Sequence, residues 1–322
     1  MRALSLSLLI VLAACTSREP TPPAPAPRPV SKMVEQSGAA PVVAPPKKVE
    51  EQAATPEPPY DIDADRQRRI KTAQEELGGK LQTAIVSDFW VVLGPKNWQG
   101  KAFDDSVALM KSAMTGFMNN RFGKKPEQAI SVYLFGDAQS YEGFCQKKFA
   151  APCIAHFGFY SPGERYMVMN AALGLGTLTH EMVHPLVEAD FPHAPTWINE
   201  GLASVFEQPQ IPRVGEIHGG KNWRWPRVRR ALLSPTESAD ARLDHYFGMS
   251  DAMFRGDKED LNYAAARYVC QWLDERGKLW PFFQKWRDDY ASDPTGEKSF
   301  AAVTGMTPSE AHAQWAKWVL AL

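Results

Sequence analysis

The sequence predicts an α+β fold, with a small sheet and its helices first and a mainly helical part after them. Three observations carry that reading. Short β-branched and aromatic runs fall between residues 83 and 169; a segment of helical period bearing His180-Glu181-x-x-His184 follows; and beyond Glu207 the recurring apolar period is helical. The expected divisions are residues 1–15, 16–60, 61–210 and 211–322.

Residues 1–15 read as a secretory leader, because Met1-Arg2 precedes an apolar run, Ala3 to Ala14, that is too short to span a membrane. The run ends in Leu12-Ala13-Ala14-Cys15, which resembles a bacterial lipobox. That resemblance implies lipid on Cys15, a membrane partner reached through that lipid, and a place in the bacterial cell envelope, on the periplasmic side or at the outer membrane. The stretch from Arg18 to Pro59 holds twelve of the 26 prolines and almost no aromatic residue, so it cannot bury a core and reads as an extended, disordered tether.

From Tyr60 the composition is globular. Asp61 to Gly79 is charged and predicts a short surface helix. Thr83 to Leu93, ended by Gly94-Pro95, predicts a strand or a bent pair of strands. Asp104 to Phe122 carries apolar residues at helical spacing through Val107, Met110, Met114 and Phe117. Ala129 to Phe135 predicts another strand, and Ser140 to Phe149 a helix. Phe157 to Tyr160 and Arg165 to Met169 flank Ser-Pro-Gly-Glu and so predict a hairpin that runs into the motif-bearing helix.

In that helix Leu178, Met182, Val183, Leu186 and Val187 fill one arc at 100° per residue and leave His180, Glu181 and His184 outside it. Histidines four apart lie one turn apart on one face, the spacing that grips a metal, and Glu181 sits beside them as a base. Zinc takes a third protein ligand and keeps a position open for water; Glu200 in Trp197-Ile-Asn-Glu-Gly-Leu-Ala203, on the next helix, is placed to supply it. Glu188 and His193 are the competing third ligands. Pro185, directly after His184, predicts a kink, since it removes a backbone hydrogen bond and clashes with the Glu181 carbonyl.

His-Glu-Met-Val-His followed by Trp-Ile-Asn-Glu-Gly-Leu-Ala-Ser-Val-Phe-Glu resembles the gluzincin metallopeptidases, particularly the peptidase MA-like group and the catalytic domain of aminopeptidase N. The resemblance implies a zincin-like domain over residues 61–210, with a small mixed sheet and an active-site helix. It also implies a single Zn2+ held by His180, His184 and Glu200, with Glu181 as general base and peptides or proteins as substrates. By the same resemblance the strand from Tyr166 to Asn170 is an exposed sheet edge on which an extended substrate lies, and a tyrosine or histidine of the C-terminal part stabilises the oxyanion. Tyr263 is the candidate for that role, with His245, Tyr246 and Tyr268 in reserve.

Gly215 to Arg230 is polar, carries tryptophan and predicts a loop and cleft wall. Its arginines do not imply nucleic acid, because the formal net charge of the whole chain is -1. Tyr263 to Leu273 and Leu279 to Tyr290 predict two amphipathic helices, and Thr307-Pro-Ser-Glu310 caps a final one. Trp272, Trp280, Phe283, Trp286, Trp315 and Trp318 are read as core. Of the four cysteines, Cys145 and Cys153 are close enough to pair, and Cys270 is left over, with cysteine ligation of zinc the lesser alternative. No P-loop, dinucleotide fingerprint or nucleophile elbow is present; Gly174-Leu-Gly176 lacks the rest of a glycine fingerprint. The expected function is zinc-dependent peptide hydrolysis in the cell envelope. A catalytically inactive protein that keeps the fold as a binding or assembly scaffold is the alternative, against which the presence of Glu181 argues, since a scaffold needs no base.

Overall fold

The computed structural model describes residues 59–96 and 102–322. The expected leader, Cys15 and nearly all of the proline-rich tether lie outside these residues. The fold is α+β, with eleven helices and a mixed five-stranded sheet among the described residues.

Helix α1 (Ile62–Leu77) starts where the Asp61 carboxylate accepts from the backbone N–H groups of Asp63 and Ala64. Strands β1 (Leu81–Val86) and β2 (Trp90–Pro95) form the bent pair, turning at Ser87 and Asp88, both with positive φ. Then come α2 (Ala102–Met118), β3 (Ile130–Phe135), α3 (Ala138–Phe149), β4 (Gly158–Ser161) and β5 (Tyr166–Asn170). The strand order is β1-β2-β3-β5-β4, with β2, β3 and β5 parallel and the outer strands β1 and β4 antiparallel to their neighbours.

The central strands are buried on both faces, and their side chains alternate between two apolar clusters. Trp90, Val92, Val132, Leu134, Met167 and Met169 pack on the side of α2 and the motif helix. Val91, Leu93, Tyr133, Phe135, Tyr166 and Val168 pack on the other side, with Ala73 of α1 and Tyr141 and Phe144 of α3. This two-faced burial explains why the strands read as continuous apolar runs.

The motif helix α4 (Gly176–Asp190) and its successor α5 (Thr196–Val205) follow β5. A two-stranded ribbon, β6 (Pro209–Gln210) and β7 (His218–Gly219), leads to α6 (Trp225–Leu233) and α7 (Asp251–Phe254). After these come α8 (Glu259–Asp274), α9 (Leu279–Asp289), α10 (Glu297–Thr304) and α11 (Pro308–Ala321). Thr307 and Glu310 close a capping box at the start of α11. Residues 215–230, expected to be loop throughout, turn helical from Trp225, because Pro226 at the first turn favours helix and buries Val228. One apolar cluster runs from Val92 and Met110 through Leu186 and Trp197 to Tyr268, Trp286 and Trp315, so residues on both sides of position 210 share a core. Cys145 and Cys153 form a disulfide that ties α3 to the loop ahead of β4. No described helix is long and apolar enough to cross a membrane.

Candidate metal centre

Helix α4 buries Leu178, Met182, Val183, Leu186 and Val187 against the sheet, as its apolar arc predicts, and turns His180, Glu181 and His184 toward α5. The helix runs through Pro185 to Asp190 without interruption. The bond that Pro185 cannot make is the one to the Glu181 carbonyl, so the proline acts inside the motif itself.

Two glycines fix how closely the surrounding elements approach. A Cβ at Gly176 would overlap the carbonyl oxygen of Glu207 and lie 3.0 Å from its carbon, so only glycine lets the start of α4 touch the end of the Glu200 segment. The Thr179 hydroxyl joins the same two elements by donating to the Phe206 carbonyl at 2.6 Å. A Cβ at Gly201 would sit 2.9 Å from both the Ala266 carbonyl oxygen and the Cys270 sulfur, so the glycine after Glu200 lets α5 lie directly on α8. That contact brings Tyr263 of α8 to the centre.

At the centre, Glu200 Oε2 lies 3.6 Å from His180 Nε2 and 3.8 Å from His184 Nε2. Ligand atoms about 2.0–2.1 Å from a tetrahedral zinc are about 3.3 Å from one another, so the three atoms span nearly one face of that tetrahedron. Glu200 Oε2 is buried and has no hydrogen-bond partner, an arrangement that costs on the order of 1–3 kcal/mol unless a cation faces it. His184 Nδ1 is 3.0 Å from Asn199 Oδ1, whereas His180 Nδ1 faces Glu207 Oε1 at 3.4 Å and is buried without a hydrogen bond. The acceptor at His184 Nδ1 holds the proton there and leaves its Nε2 lone pair free, which is the tautomer a metal needs.

Glu181 Oε2 is 4.0 Å from His184 Nε2, and His180, Glu181 and His184 together could hold a metal ion. Of the two carboxylates, Glu200 places its orphaned oxygen almost evenly between the two histidines. Glu181 is then left with a carboxylate beside the centre. Burial raises its pKa, against the lowering effect of the two histidines and of the Tyr160 backbone N–H that it accepts from. Burial alone would raise the Glu200 pKa too, but His180, His184 and Arg255 outweigh it and hold that carboxyl well below the usual range. His180 is pushed up to about 10: burial works against its charged form, and Glu200 and Glu207 more than reverse this. Three carboxylates thus crowd two imidazoles, a field that favours a cation.

Each structural carboxylate also has an arginine behind it. Arg255 donates to Glu200 Oε1 at 2.9 Å and, through its other terminal nitrogen, to the Tyr263 hydroxyl at 3.2 Å. Arg224 grips Glu207 with contacts of 2.7, 2.9 and 3.1 Å, and Glu207 titrates near 2, since His180 and Arg224 overcome its burial. Tyr263 keeps its proton, because burial first and the Glu200 carboxylate second push the phenol above its ordinary value.

The cleft has two halves that meet at His180, Glu181 and Tyr263. One, of about 560 Å³, is bounded by Tyr160, His184, Glu188, Glu200 and Arg255. The other, of about 830 Å³, is bounded by Phe157, Leu173, Gly176, Thr177, Trp223 and Arg224.

The structure brings His180, Glu181, His184, Glu200 and Tyr263 together, and sets the competitors aside. Glu188 accepts from the Tyr160 hydroxyl, and His193 is exposed and stacked on Tyr290. The hydroxyls of Tyr246 and Tyr268 donate to the Asp240 and Asn222 carbonyls, and neither these tyrosines nor His245 lines the cleft. Among the described residues no cysteine reaches the centre, because Cys145 and Cys153 are joined and Cys270 is buried behind α5.

One expectation is corrected. Tyr166 to Asn170 is not a sheet edge, because β5 lies between β3 and β4 and is buried along its whole length. The open edge beside the centre is β4. Since Phe157 accepts from the Asn170 N–H, alternate residues of β4 face β5, and the backbone groups of Gly158 and Tyr160 point outward. The Tyr160 N–H is the one that reaches Glu181.

Sequence reasoning missed Asn199, Glu207, Arg224 and Arg255. Asn199 adjoins Glu200, and Glu207 lies in the turn just past the end of α5. Nothing in the local pattern marks the two arginines. The chain matches no protein-family model and no curated protein.

Proposed function

We propose that this protein is a zinc-dependent metallopeptidase of the gluzincin kind, hydrolysing peptide bonds. The observation that carries the proposal is the convergence of two imidazole Nε2 atoms on the orphaned Glu200 Oε2, with the Asn199 acceptor behind His184 and the Glu207 carboxylate facing His180. The five-stranded mixed sheet with an antiparallel edge strand beside the motif helix supports a zincin-like fold.

Zinc held by His180, His184 and Glu200 supplies Lewis acidity to a substrate carbonyl and lowers the pKa of a water to about 7. Asn199 holds the His184 ring in place, the Glu207 carboxylate faces His180, and Arg255 holds Glu200 by its other oxygen. An extended peptide pairs with the outward backbone groups of Gly158 and the outward carbonyl of Tyr160, which sets its own carbonyl over the centre. Glu181 takes the proton from the attacking water and passes it to the leaving amine; burial has moved its pKa up, toward the range a general base needs. The Tyr263 hydroxyl accepts from Arg255 and so keeps its own proton to donate to the developing oxyanion. Lipid on Cys15 would place this chemistry at the envelope membrane, with the tether setting its reach.

The test is Glu181→Gln, which keeps size and removes the base. Cleavage of a peptide library by the zinc-loaded protein is expected to fall at least about 10²-fold, with zinc content and folding unchanged. If the wild type with zinc bound cleaves no peptide or envelope fraction, and Glu181→Gln replaces the wild type fully in cells, the scaffold reading takes its place.

A further inference from the structure

We infer that the larger half of the cleft is a specificity site for a bulky, uncharged apolar or aromatic side chain next to the scissile bond. This rests on the peptidase reading above and names the substrate class for it. Phe157 comes from the loop ahead of β4, Leu173 from the turn after β5, and Trp223 from the loop ahead of α6, yet all three line one cavity. They are exposed by 50%, 44% and 68%, whereas the large apolar side chains of the central strands and of α4 are buried. Exposed apolar side chains converging from separate segments mark a surface that gains by being covered. Its continuity with the centre says by what: the cavity shares His180, Glu181 and Tyr263 with the metal half, so a substrate aligned on β4 reaches it.

Charge decides the class of side chain. Away from Glu181, which lies where the two halves meet, the formal charges in this half are spent on one another, with Glu207 gripped by Arg224 and facing His180. The Arg224 guanidinium lies 4.2 Å from the centre of the Trp223 ring and 4.9 Å from that of Tyr263, so two aromatic faces cover it. A charged side chain entering here loses water and finds no free partner. The opposite half also carries an exposed apolar side chain, Ile154, but presents the charges of Glu188 and Arg255 beside it.

The test uses the full chain carrying Glu181→Gln, zinc-loaded, and fluorescein-labelled heptapeptides that are identical except for Phe, Leu, Asp or Lys at one position. Fluorescence anisotropy is expected to give at least about tenfold tighter binding for Phe and Leu than for Asp and Lys at one register. Trp223→Ala or Phe157→Ser should reduce that ratio below about threefold, while Val214→Ser, at an exposed site away from the cleft, keeps it. Equal affinity across the series, binding of none of the peptides, or a ratio unchanged by both rim variants overturns the inference. A Trp223→Ala protein that turns from dimer to monomer with its peptide ratio intact also overturns it, and makes the rim an interface between copies. Cleavage by the wild type, measured alongside, separates the two claims. Apolar preference without cleavage removes the catalytic reading alone; cleavage without preference removes this one alone.

Discussion

Replacing Gly176 by alanine adds one carbon where the structure has no room for it. The new Cβ would overlap the Glu207 carbonyl oxygen and lie 3.0 Å from the carbonyl carbon and 3.6 Å from Cα. These are backbone atoms, so no side chain can rotate away. Restoring ordinary contact of about 3.5 Å requires the start of α4 and the Glu207 segment to separate by roughly 1.5 Å. Overpacking of this kind costs about 1–3 kcal/mol, and weakening the Thr179 to Phe206 hydrogen bond adds about 1 kcal/mol. For a domain of this size a loss of about 2–4 kcal/mol lowers Tm by about 5–15 °C. The same separation lengthens the 3.4 Å approach of Glu207 to His180 Nδ1 and so removes a carboxylate from beside the ring. Zinc affinity should therefore fall about 10- to 100-fold. Differential scanning calorimetry and competitive zinc titration measure the two effects. A Gly176→Ala protein that melts within about 2 °C of the wild type and binds zinc equally well would refute the close approach and the role assigned to Glu207.

Two further outcomes follow from the same arrangement. Glu207→Gln keeps an acceptor near His180 but loses the charge that Arg224 and the imidazole face, so zinc affinity should drop about tenfold in competitive titration; unchanged affinity would remove Glu207 from the centre. Cys15→Ser should abolish incorporation of labelled fatty acid and release the protein from membranes on fractionation; full retention in the membrane fraction would refute the lipid anchor.

The sequence made the motif helix legible because both of its constraints are local. The apolar arc of Leu178, Met182, Val183, Leu186 and Val187 follows from helical period, and the facing of His180 toward His184 follows from a spacing of four. Glu200 was legible from its place on the next helix and from the resemblance of Glu-Gly-Leu-Ala, and the structure adds that Gly201 beside it packs on α8. The disulfide was within reach because Cys145 and Cys153 are only eight residues apart. What escaped was set by tertiary contacts. Whether β4 or β5 forms the edge depends on β5 pairing with β3, thirty-odd residues earlier, and hairpin periodicity is the same in either order. Arg255 reaches Glu200 across 55 positions, and Arg224 reaches Glu207 from beyond a ribbon, so no spacing rule points to them. The helix from Trp225 was hidden by a polar composition in which only Val228 and Ala231 are buried.

Zinc stoichiometry and affinity of the purified protein, compared with those of Glu200→Ala, test the central claim most directly. The account predicts one zinc per wild-type chain, and for Glu200→Ala a loss in affinity of at least about 100-fold, because the orphaned oxygen between the two histidines is removed. A wild-type chain that takes up no zinc, or a Glu200→Ala chain that binds it as tightly as the wild type, would contradict the account.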